Sequence, residues 1–491
     1  MTTPLEVLLA DTGLRLHSGD PQLALTGITA DSREVEPGFL FVATRGLTVD
    51  GHDFIAKAIE GGASAVLAEA DYDIPEGFRQ NTSWVLAEDT ARQVGPLAAS
   101  FYEHPSQEVE VVGVTGTNGK TTVATLCHDL FVALGYRCGL IGTVETRIAG
   151  EVLDSTHTTP SAVAVQRLLR QMADAGCGYV FVEVSSHALV QHRTAGVQFA
   201  GGAFTNISHD HLDYHGDMKS YIAAKKLLFD GLRKSAFALV NVDDKRGQVM
   251  LQNTAARKRT YALKNVADYR ARVLDDNLRG LHLVVEGQEV YTKIAGHFNA
   301  YNLLCAYGIG VELEQESTEV LAALSALPGA VGRLEVVSVE RLGLLGVVDY
   351  AHTPDALANV LETLQSVRRR GSQLITVFGC GGDRDAAKRP RMGAIAAANS
   401  DQVVVTDDNP RSEEPDAIRE EILAGIDQDG RARTIDIAGR EQAIRVAVRM
   451  ARDEDVILVA GKGHETYQEV KGERKPFDDR EVLRRALRDA R

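Results

Sequence analysis

Apolar residues fall along this chain in two alternating patterns: short unbroken runs, and longer stretches in which they recur at helical spacing. The runs predict strands and the stretches predict helices between them, the pattern of largely parallel sheets. It is clearest in the last third. Leu344 to Val348, Leu374 to Phe378, Gln402 to Val405 and Val456 to Val459 each read as a strand, followed by the loops "DYAHTPD", "CGGDRD", "DDNPRSEEP" and "GKGHE". In a doubly wound sheet such loops gather beyond the carboxyl ends of the strands, where ligands bind. Arg411 is therefore expected in a cleft with Asp349, Arg384 and His464, while Glu413 and Glu414 read as solvated charges after the turn.

Further upstream, Val109 to Val114, Tyr179 to Val184 and Ala236 to Val242 read as strands alternating with helical stretches. Before them, "FLFVATRG" and "SAVLAE" mix apolar runs with turns, and "EDTARQVGPLAASFYEHP" reads as a connecting helix. The expected class is α/β in three domains: a small N-terminal α/β domain over 1–90, a central P-loop domain with a mostly parallel sheet over 91–332, and a C-terminal Rossmann-like domain over 333–491. A chain of 491 residues suits about three domains at roughly 150 residues each.

Composition narrows the function classes. With 44% hydrophobic and 25% charged residues, and no apolar run near the roughly 20 residues of a membrane span, a globular, non-membrane protein is expected. The start "MTTPLEVLLADTG" lacks a basic region and a cleavage site, which points to the cytoplasm. Cys127, Cys138, Cys177, Cys305 and Cys380 form no CxxC pair, against a disulfide framework or zinc ribbon. A net charge of -15 excludes general attraction to nucleic acid, so an anionic ligand needs local help.

That help is visible in "GVTGTNGKTT", Gly113 to Thr122, between a β-branched strand and a helix with Val123, Leu126, Leu130, Phe131 and Leu134 at helical spacing. Glycines let backbone N–H groups face phosphate oxygens, Lys120 adds a charge at the outer phosphates, and the Thr121 hydroxyl can ligate magnesium. The loop is a variant, with Val114 where the strict pattern has glycine.

"VEVSSH" ends a strand on Glu183, and "TNISHDHLDYHG" gathers His209, Asp210, His211, Asp213 and His215. A dinuclear-metal hydrolase is one reading of that cluster, but Tyr214 breaks its spacing and a phosphate loop is foreign to it. Magnesium needs only one or two protein oxygens near phosphates, which Thr121 and Glu183 can supply. "SYIAAKKLLFDGL" is an amphipathic helix in which Lys225, on composition alone, is a solvated lysine.

Together, "GTNGKTT", "EVSSHALVQHR", "DHLDYHGDMKSYIAAKKLLF", "GHFNAYNLL", "GRLEVV" and "DYAHTPDAL", in this order, resemble the Mur ligase family over essentially the whole chain. "HTTPS", "GGDRDAAKRP", "DNPR" and "GKGHETY" point to its diaminopimelate-adding branch. The resemblance implies an ATP-dependent, ADP-forming amide ligase of peptidoglycan precursor synthesis. It joins meso-diaminopimelate to UDP-N-acetylmuramoyl-L-Ala-D-Glu through an acyl phosphate, as a cytoplasmic monomer with two magnesium ions. It further implies that Lys225 is carbamylated and ligates the second magnesium with His211, while Thr121 and Glu183 serve the first.

By the same resemblance Gly116, Thr117, Asn118, Gly119, Lys120, Thr121 and Thr122 bind the ATP phosphates. Asn299, Arg333 and Asp349 take the rest of the nucleotide, and His352 lies near the transferring phosphate. Ala30, Ser32, Leu47, Thr48 and Val49 are assigned to the uridine end. His157, Thr158, Thr159, Ser185, Gln191 and Arg193 are assigned to the muramoyl dipeptide; Ala30 and His157 depart from the residues common in the family. Arg389, Asp408, Asn409, Pro410, Arg411, Gly461 and Glu465 form the expected diaminopimelate pocket. The alternatives are the L-lysine-adding branch and, more remotely, a folylpolyglutamate synthase. A guanidinium grips a carboxylate through two parallel hydrogen bonds, which lysine as a substrate cannot answer, so Arg411 is the expected discriminator. "PGAVGR" is expected to carry the joint between the second and third segments, near Ala330 to Arg333.

Overall fold

The computed structural model describes every residue except Met1, Asp11, Leu47, Thr48, Thr156, His209, His211, 278–279, 339–343 and Arg491. The expected roles of Leu47, Thr48 and His211 thus lie outside the described residues. The fold class is α/β with mostly parallel sheets, as expected. Near the N-terminus a five-stranded sheet runs Leu16–Ser18, Ser83–Ala87, Ala65–Glu69, Phe39–Val42, Gly27–Thr29, parallel except for its first edge strand. The helix Ala91–Phe101 buries Leu97, Ala98 and Phe101 against it.

The largest sheet has eleven strands among the described residues. At its centre Cys138–Ile141, Tyr179–Glu183, Glu110–Thr115, Phe199–Phe204, Phe237–Asn241 and Arg257–Ala262 lie parallel. Helices cover both faces: Lys120–Ala133 and His297–Glu312 on one, Ala162–Asp174 and Met218–Asp230 on the other. Double cover is why the strands other than Arg257–Ala262 are mostly apolar, and each fully buried Leu or Val stabilises by roughly 1.5–3 kcal/mol.

A third sheet runs Glu335–Ser338, Leu345–Asp349, Val456–Ala460, Leu374–Phe378, Gln402–Val405, Thr434–Asp436, parallel except for its first strand. Its neighbours Leu345–Asp349, Val456–Ala460, Leu374–Phe378 and Gln402–Val405 are the four strands read from the sequence, so the four polar loops do emerge along one edge. A hairpin of Tyr467–Val470 and Glu473–Pro476 was not expected, because its strands are polar and partly or fully exposed. Lys471 and Gly472 form its turn at φ 51 and 81, the left-handed pair that matches strand twist. No helix among the described residues is long and apolar enough to cross a membrane.

Candidate active site

The phosphate loop is built by backbone. Gly116 and Gly119 have φ of 154 and 89, and a Cβ on Gly116 would lie 1.9 Å from Thr205 Oγ1. Thr205 and Asn206, on the next parallel strand and its end, brace the loop: Thr205 Oγ1 donates to Asn118 O (2.6 Å), Asn118 N to Asn206 Oδ1 (3.0 Å) and Thr117 N to Asn206 O (2.8 Å). Lys120 Nζ donates to Gly116 O (2.9 Å) and Thr117 O (2.8 Å), so its charge stays at the loop mouth. Burial lowers its proton affinity, while Glu183 and Asp210 oppose that shift. On the far side, Asn299 donates to Ala295 O and accepts from Asn302, whose Oδ1 faces Gly119.

Oxygen donors for a magnesium ion lie beside this loop. Glu183 is 1% exposed, and its carboxylate accepts from Thr121 Oγ1 (2.8 Å), Thr143 N (2.7 Å) and Thr143 Oγ1 (3.1 Å), with no cationic side chain bonded to it among the described residues. A buried carboxylate held by hydroxyls and one N–H, next to a phosphate loop, fits a hard cation that keeps most of its waters. Among the described residues no group of three or more His, Cys, Asp or Glu could hold a metal ion.

Lys225 is not the solvated lysine that composition favours. It is 1% exposed, donates to Gly116 O (2.8 Å) and lies 4.5 Å over the Tyr221 ring. Burial drives its proton affinity well below the ordinary lysine range, Lys120 pushes further, and Asp210 opposes. Tyr221 in turn bonds Thr117 Oγ1 at 3.1 Å.

The expected dipeptide residues converge next to Glu183. Thr143 Oγ1 lies 3.0 Å from Thr158 Oγ1, Thr159 Oγ1 donates to Glu183 O (2.7 Å) and Ser185 N to Thr159 Oγ1 (3.1 Å). Ser185 also caps the helix Ser186–Val190. Arg193 donates to Thr159 O (2.9 Å) and Gln191 Oε1 (2.7 Å), and among the described residues it pairs with no carboxylate. At the N-terminal sheet Ser32 follows Thr29 in a tight turn where Asp31 accepts from Arg33, and Ala30 and Val49 are exposed. His157 is exposed, and its carbonyl accepts from Ser155 Oγ (3.0 Å).

Residues from the third sheet reach this centre. Arg333 Nη2 donates to Thr121 Oγ1 (3.1 Å) and its guanidinium stacks 4.5 Å from the Tyr350 ring. Asp349 accepts from Leu334 N (2.6 Å), and burial lifts its carboxyl to about 6 against the pull of Arg333. His352 Nδ1 donates to Tyr350 O (2.9 Å), and burial lowers the ring to about 4, with Lys388 adding and Asp210 opposing. One carboxylate, Asp210, thus acts on Lys120, Lys225 and His352, so all three face one space. In the expected joint Gly332 has φ 66 and packs so tightly on the "GKGHE" loop that a Cβ would lie 2.1 Å from His464 N.

The residues of the expected diaminopimelate pocket are held by backbone and side chains together. Arg411, at φ 52, joins the hairpin: its N–H donates to Glu469 O (3.1 Å) and its carbonyl accepts from Lys471 N (2.6 Å). Its guanidinium donates to Gly382 O (2.8 Å), and among the described residues no carboxylate pairs with it. Arg389, 1% exposed, spends its fork on Glu413 (2.8 and 2.9 Å), Glu421 (2.9 Å) and Gly381 O (3.3 Å). Glu413 is therefore a structural partner rather than a solvated charge, whereas exposed Glu414 pairs only with exposed Lys471. Pro410 O accepts from Glu413 N (3.0 Å), and Asp408 Oδ1 accepts from Asn409 N (2.7 Å). Gly461, at φ 118, lets the chain pass within 2.6 Å of Asp408 Oδ2 as measured from a built Cβ. Glu465 lies opposite, bonded to Asn409 Nδ2 (2.7 Å). Arg384 is exposed and bonds only Asp383 O.

Sequence reading missed Thr143, Tyr221, Asn302, Lys462 and the hairpin strand Tyr467–Val470. Each acts through a neighbour already singled out. Tyr221, Asn302, Lys462 and Tyr467 stood within motifs already quoted, whereas Thr143 did not.

Fold and site define an α/β P-loop enzyme with several mostly parallel sheets. The chain matches the Mur ligase family, catalytic domain, over residues 24–102, the Mur ligase middle domain over 114–310, and the Mur ligase, glutamate ligase domain, over 332–463, and it belongs to the Mur ligase family. It is 49% identical over 472 residues, 96% of both chains, to UDP-N-acetylmuramoyl-L-alanyl-D-glutamate--2,6-diaminopimelate ligase of Cytophaga hutchinsonii. A solved structure of a ligase of that name superposes with a TM-score of 0.70 at 33% identity, covering 99% of each chain. Folylpolyglutamate synthase of Mycobacterium tuberculosis, complexed with ADP and AMPPCP, matches 75% of this chain and 91% of its own at 19% identity and TM-score 0.61, a likeness of fold alone.

Proposed function

We propose that this chain joins meso-2,6-diaminopimelate to UDP-N-acetylmuramoyl-L-alanyl-D-glutamate at the expense of ATP, in the cytoplasm and as a monomer. Residues 1–90 with Ala30, Ser32, Leu47, Thr48 and Val49 take the UDP end. Residues 91–332 hold ATP, and 333–491 bring the amino acid, closing about Ala330 to Arg333. The observation that carries the substrate choice is Arg411: a half-buried guanidinium that donates to Gly382 O and, among the described residues, forms no ion pair with a carboxylate.

A carboxylate is a poor electrophile, so it is activated first. The γ-phosphoryl moves to the terminal carboxylate of the glutamyl residue, and ADP leaves. Gly116 to Thr122 orient the phosphates, Lys120 follows the charge on the outer ones, and Asn299, Arg333 and Asp349 fix the rest of the nucleotide. Magnesium, when bound, neutralises charge between the two anions, with Thr121 and Glu183 holding one ion and Lys225 and His211 the other. For Lys225 to serve it must carry a carbamate. An uncharged amine is the form that adds carbon dioxide, making an N–C bond and releasing a proton, and burial lowers the proton affinity of this one.

Thr158, Thr159, Ser185, Gln191 and Arg193, with the backbone at His157, hold the acceptor so that its carboxylate faces the phosphate. His352, neutral at pH 7, donates or accepts at the transferring group without adding charge. The amine then attacks the acyl phosphate and phosphate leaves; domain closure keeps water out until then. Arg411 grips the distal carboxylate and Glu465 the distal ammonium, on a frame made by Asp408, Asn409, Pro410 and Gly461, with Arg389 behind it.

The test is phosphate release with meso-diaminopimelate against L-lysine. Wild type is expected to prefer diaminopimelate, and Arg411→Ala to lose on the order of 100-fold in kcat/KM for it, because a site built for a polar group rejects a substrate that leaves it unpaired. Equal rates for the two amino acids in wild type would overturn the assignment.

A further inference from the structure

Lys462 lies between two glycines that bring its backbone against the rest of the site: a Cβ on Gly461 would lie 2.6 Å from Asp408 Oδ2, and one on Gly463 2.7 Å from Gly332 O. The lysine itself is 0% exposed. Its ammonium donates to Asn409 Oδ1 (2.9 Å) and Glu465 Oε2 (3.0 Å), and lies 5.5 Å from the Tyr467 ring centre. Asn409 closes the triangle by donating to the same Glu465 oxygen at 2.7 Å, while its Oδ1 also accepts from Glu469 N (2.9 Å). Asn409's side chain is thereby spent on protein groups. Glu465 Oε1 has no hydrogen-bond partner among the described residues.

We propose that Lys462 is the positioning residue of this pocket: it anchors Oε2 of Glu465 and so presents Oε1 to the distal ammonium of the incoming amino acid. The proposal rests on the reading of the cleft as a diaminopimelate site. A buried lysine is costly unless paired, and among the described residues this one is paired to Asn409 and Glu465, both assigned to the proposed amino-acid pocket. Its second effect is electrostatic. Burial and Asp408 raise the Glu465 carboxyl, while Lys462 and Asn409 lower it; Tyr350 and Arg440 also lie within its field. Without Lys462, Glu465 takes up its proton at higher pH, and the distal ammonium loses its counter-ion.

The test is phosphate release at saturating ATP and dipeptide, titrated with meso-diaminopimelate from pH 6 to 9. Lys462→Met should raise KM for diaminopimelate about tenfold or more with KM for ATP unchanged, and should move the acidic limb of kcat/KM to higher pH. Lys462→Arg, which keeps a cation, should leave that limb near its wild-type position, and it serves as the test if the methionine chain does not fold. Because Lys462 acts through Glu465, adding Lys462→Met to Glu465→Gln should cost little more than Glu465→Gln alone. An unmoved acidic limb in Lys462→Met, or KM for ATP rising in step with that for diaminopimelate, overturns the proposal. Equal use of L-lysine by wild type would overturn only the substrate assignment, since the KM and pH limb of Lys462→Met are read separately.

Discussion

Around the phosphate loop, the contacts that set the geometry involve backbone at one end or both. Gly116 and Gly119 make the turn, Asn118 is bracketed through its own N–H and carbonyl, and Lys120 lies on carbonyls three and four residues back. Around the expected amino-acid pocket, backbone contacts at Arg411 are joined by charged bonds between side chains: Arg389 to Glu413, and Lys462 to Asn409 and Glu465. ATP's phosphates are the same in every turnover, and a backbone cradle reads them without side-chain choice. Choosing one amino acid over a near twin needs side chains that reward one and penalise the other. The two regions should therefore fail differently when altered.

The largest effect is expected at the loop. In Gly116→Ala the new Cβ would lie 1.9 Å from Thr205 Oγ1, on a backbone at φ 154 that L residues rarely adopt. Displacing the cradle by about an ångström should cost on the order of 100-fold in phosphate release, whichever amino acid is supplied. Thermal unfolding of the same variant checks that the fold survives. Loss confined to one amino acid would break the contrast.

A middle effect, confined to one substrate, is expected at Glu413→Gln. It takes from Arg389 the carboxylate that ties the loop after Leu374–Phe378 to the loop carrying Arg411, while Glu421 still neutralises the buried guanidinium. KM for diaminopimelate should rise about tenfold, with KM for ATP and dipeptide unchanged, since a charged hydrogen bond is worth about 1.5–3 kcal/mol. A matching rise in KM for ATP would show that the two regions are not separable.

The same division explains what the sequence revealed. Four strands of the third sheet were legible because burial on both faces makes them continuous apolar runs, and the phosphate loop because its chemistry is local in sequence. Lys225 was illegible on its own: its helix keeps an amphipathic pattern, and only the fold buries that position beneath Gly116. Glu413 was misread because an acid after a turn is ordinarily solvated, and nothing in the chain says that a buried arginine 24 positions earlier will reach it. The hairpin over 467–476 gave no signal, having no apolar face to bury.

Thr143 tests where backbone control ends. Its N–H donates to one Glu183 oxygen, its hydroxyl donates to the other, and that hydroxyl lies 3.0 Å from Thr158 Oγ1, so it joins the expected magnesium ligand to the expected dipeptide residues. Thr143→Val keeps the shape and the N–H bond and removes only the hydroxyl. If backbone sets this half of the site, the loss at Glu183 is one hydrogen bond of about 1 kcal/mol, or roughly a fivefold higher magnesium concentration for half-maximal phosphate release. A loss as large as that of Glu183→Gln would instead mean that Glu183 is aimed by the hydroxyl, and that side-chain assembly extends from the amino-acid pocket into the nucleotide site.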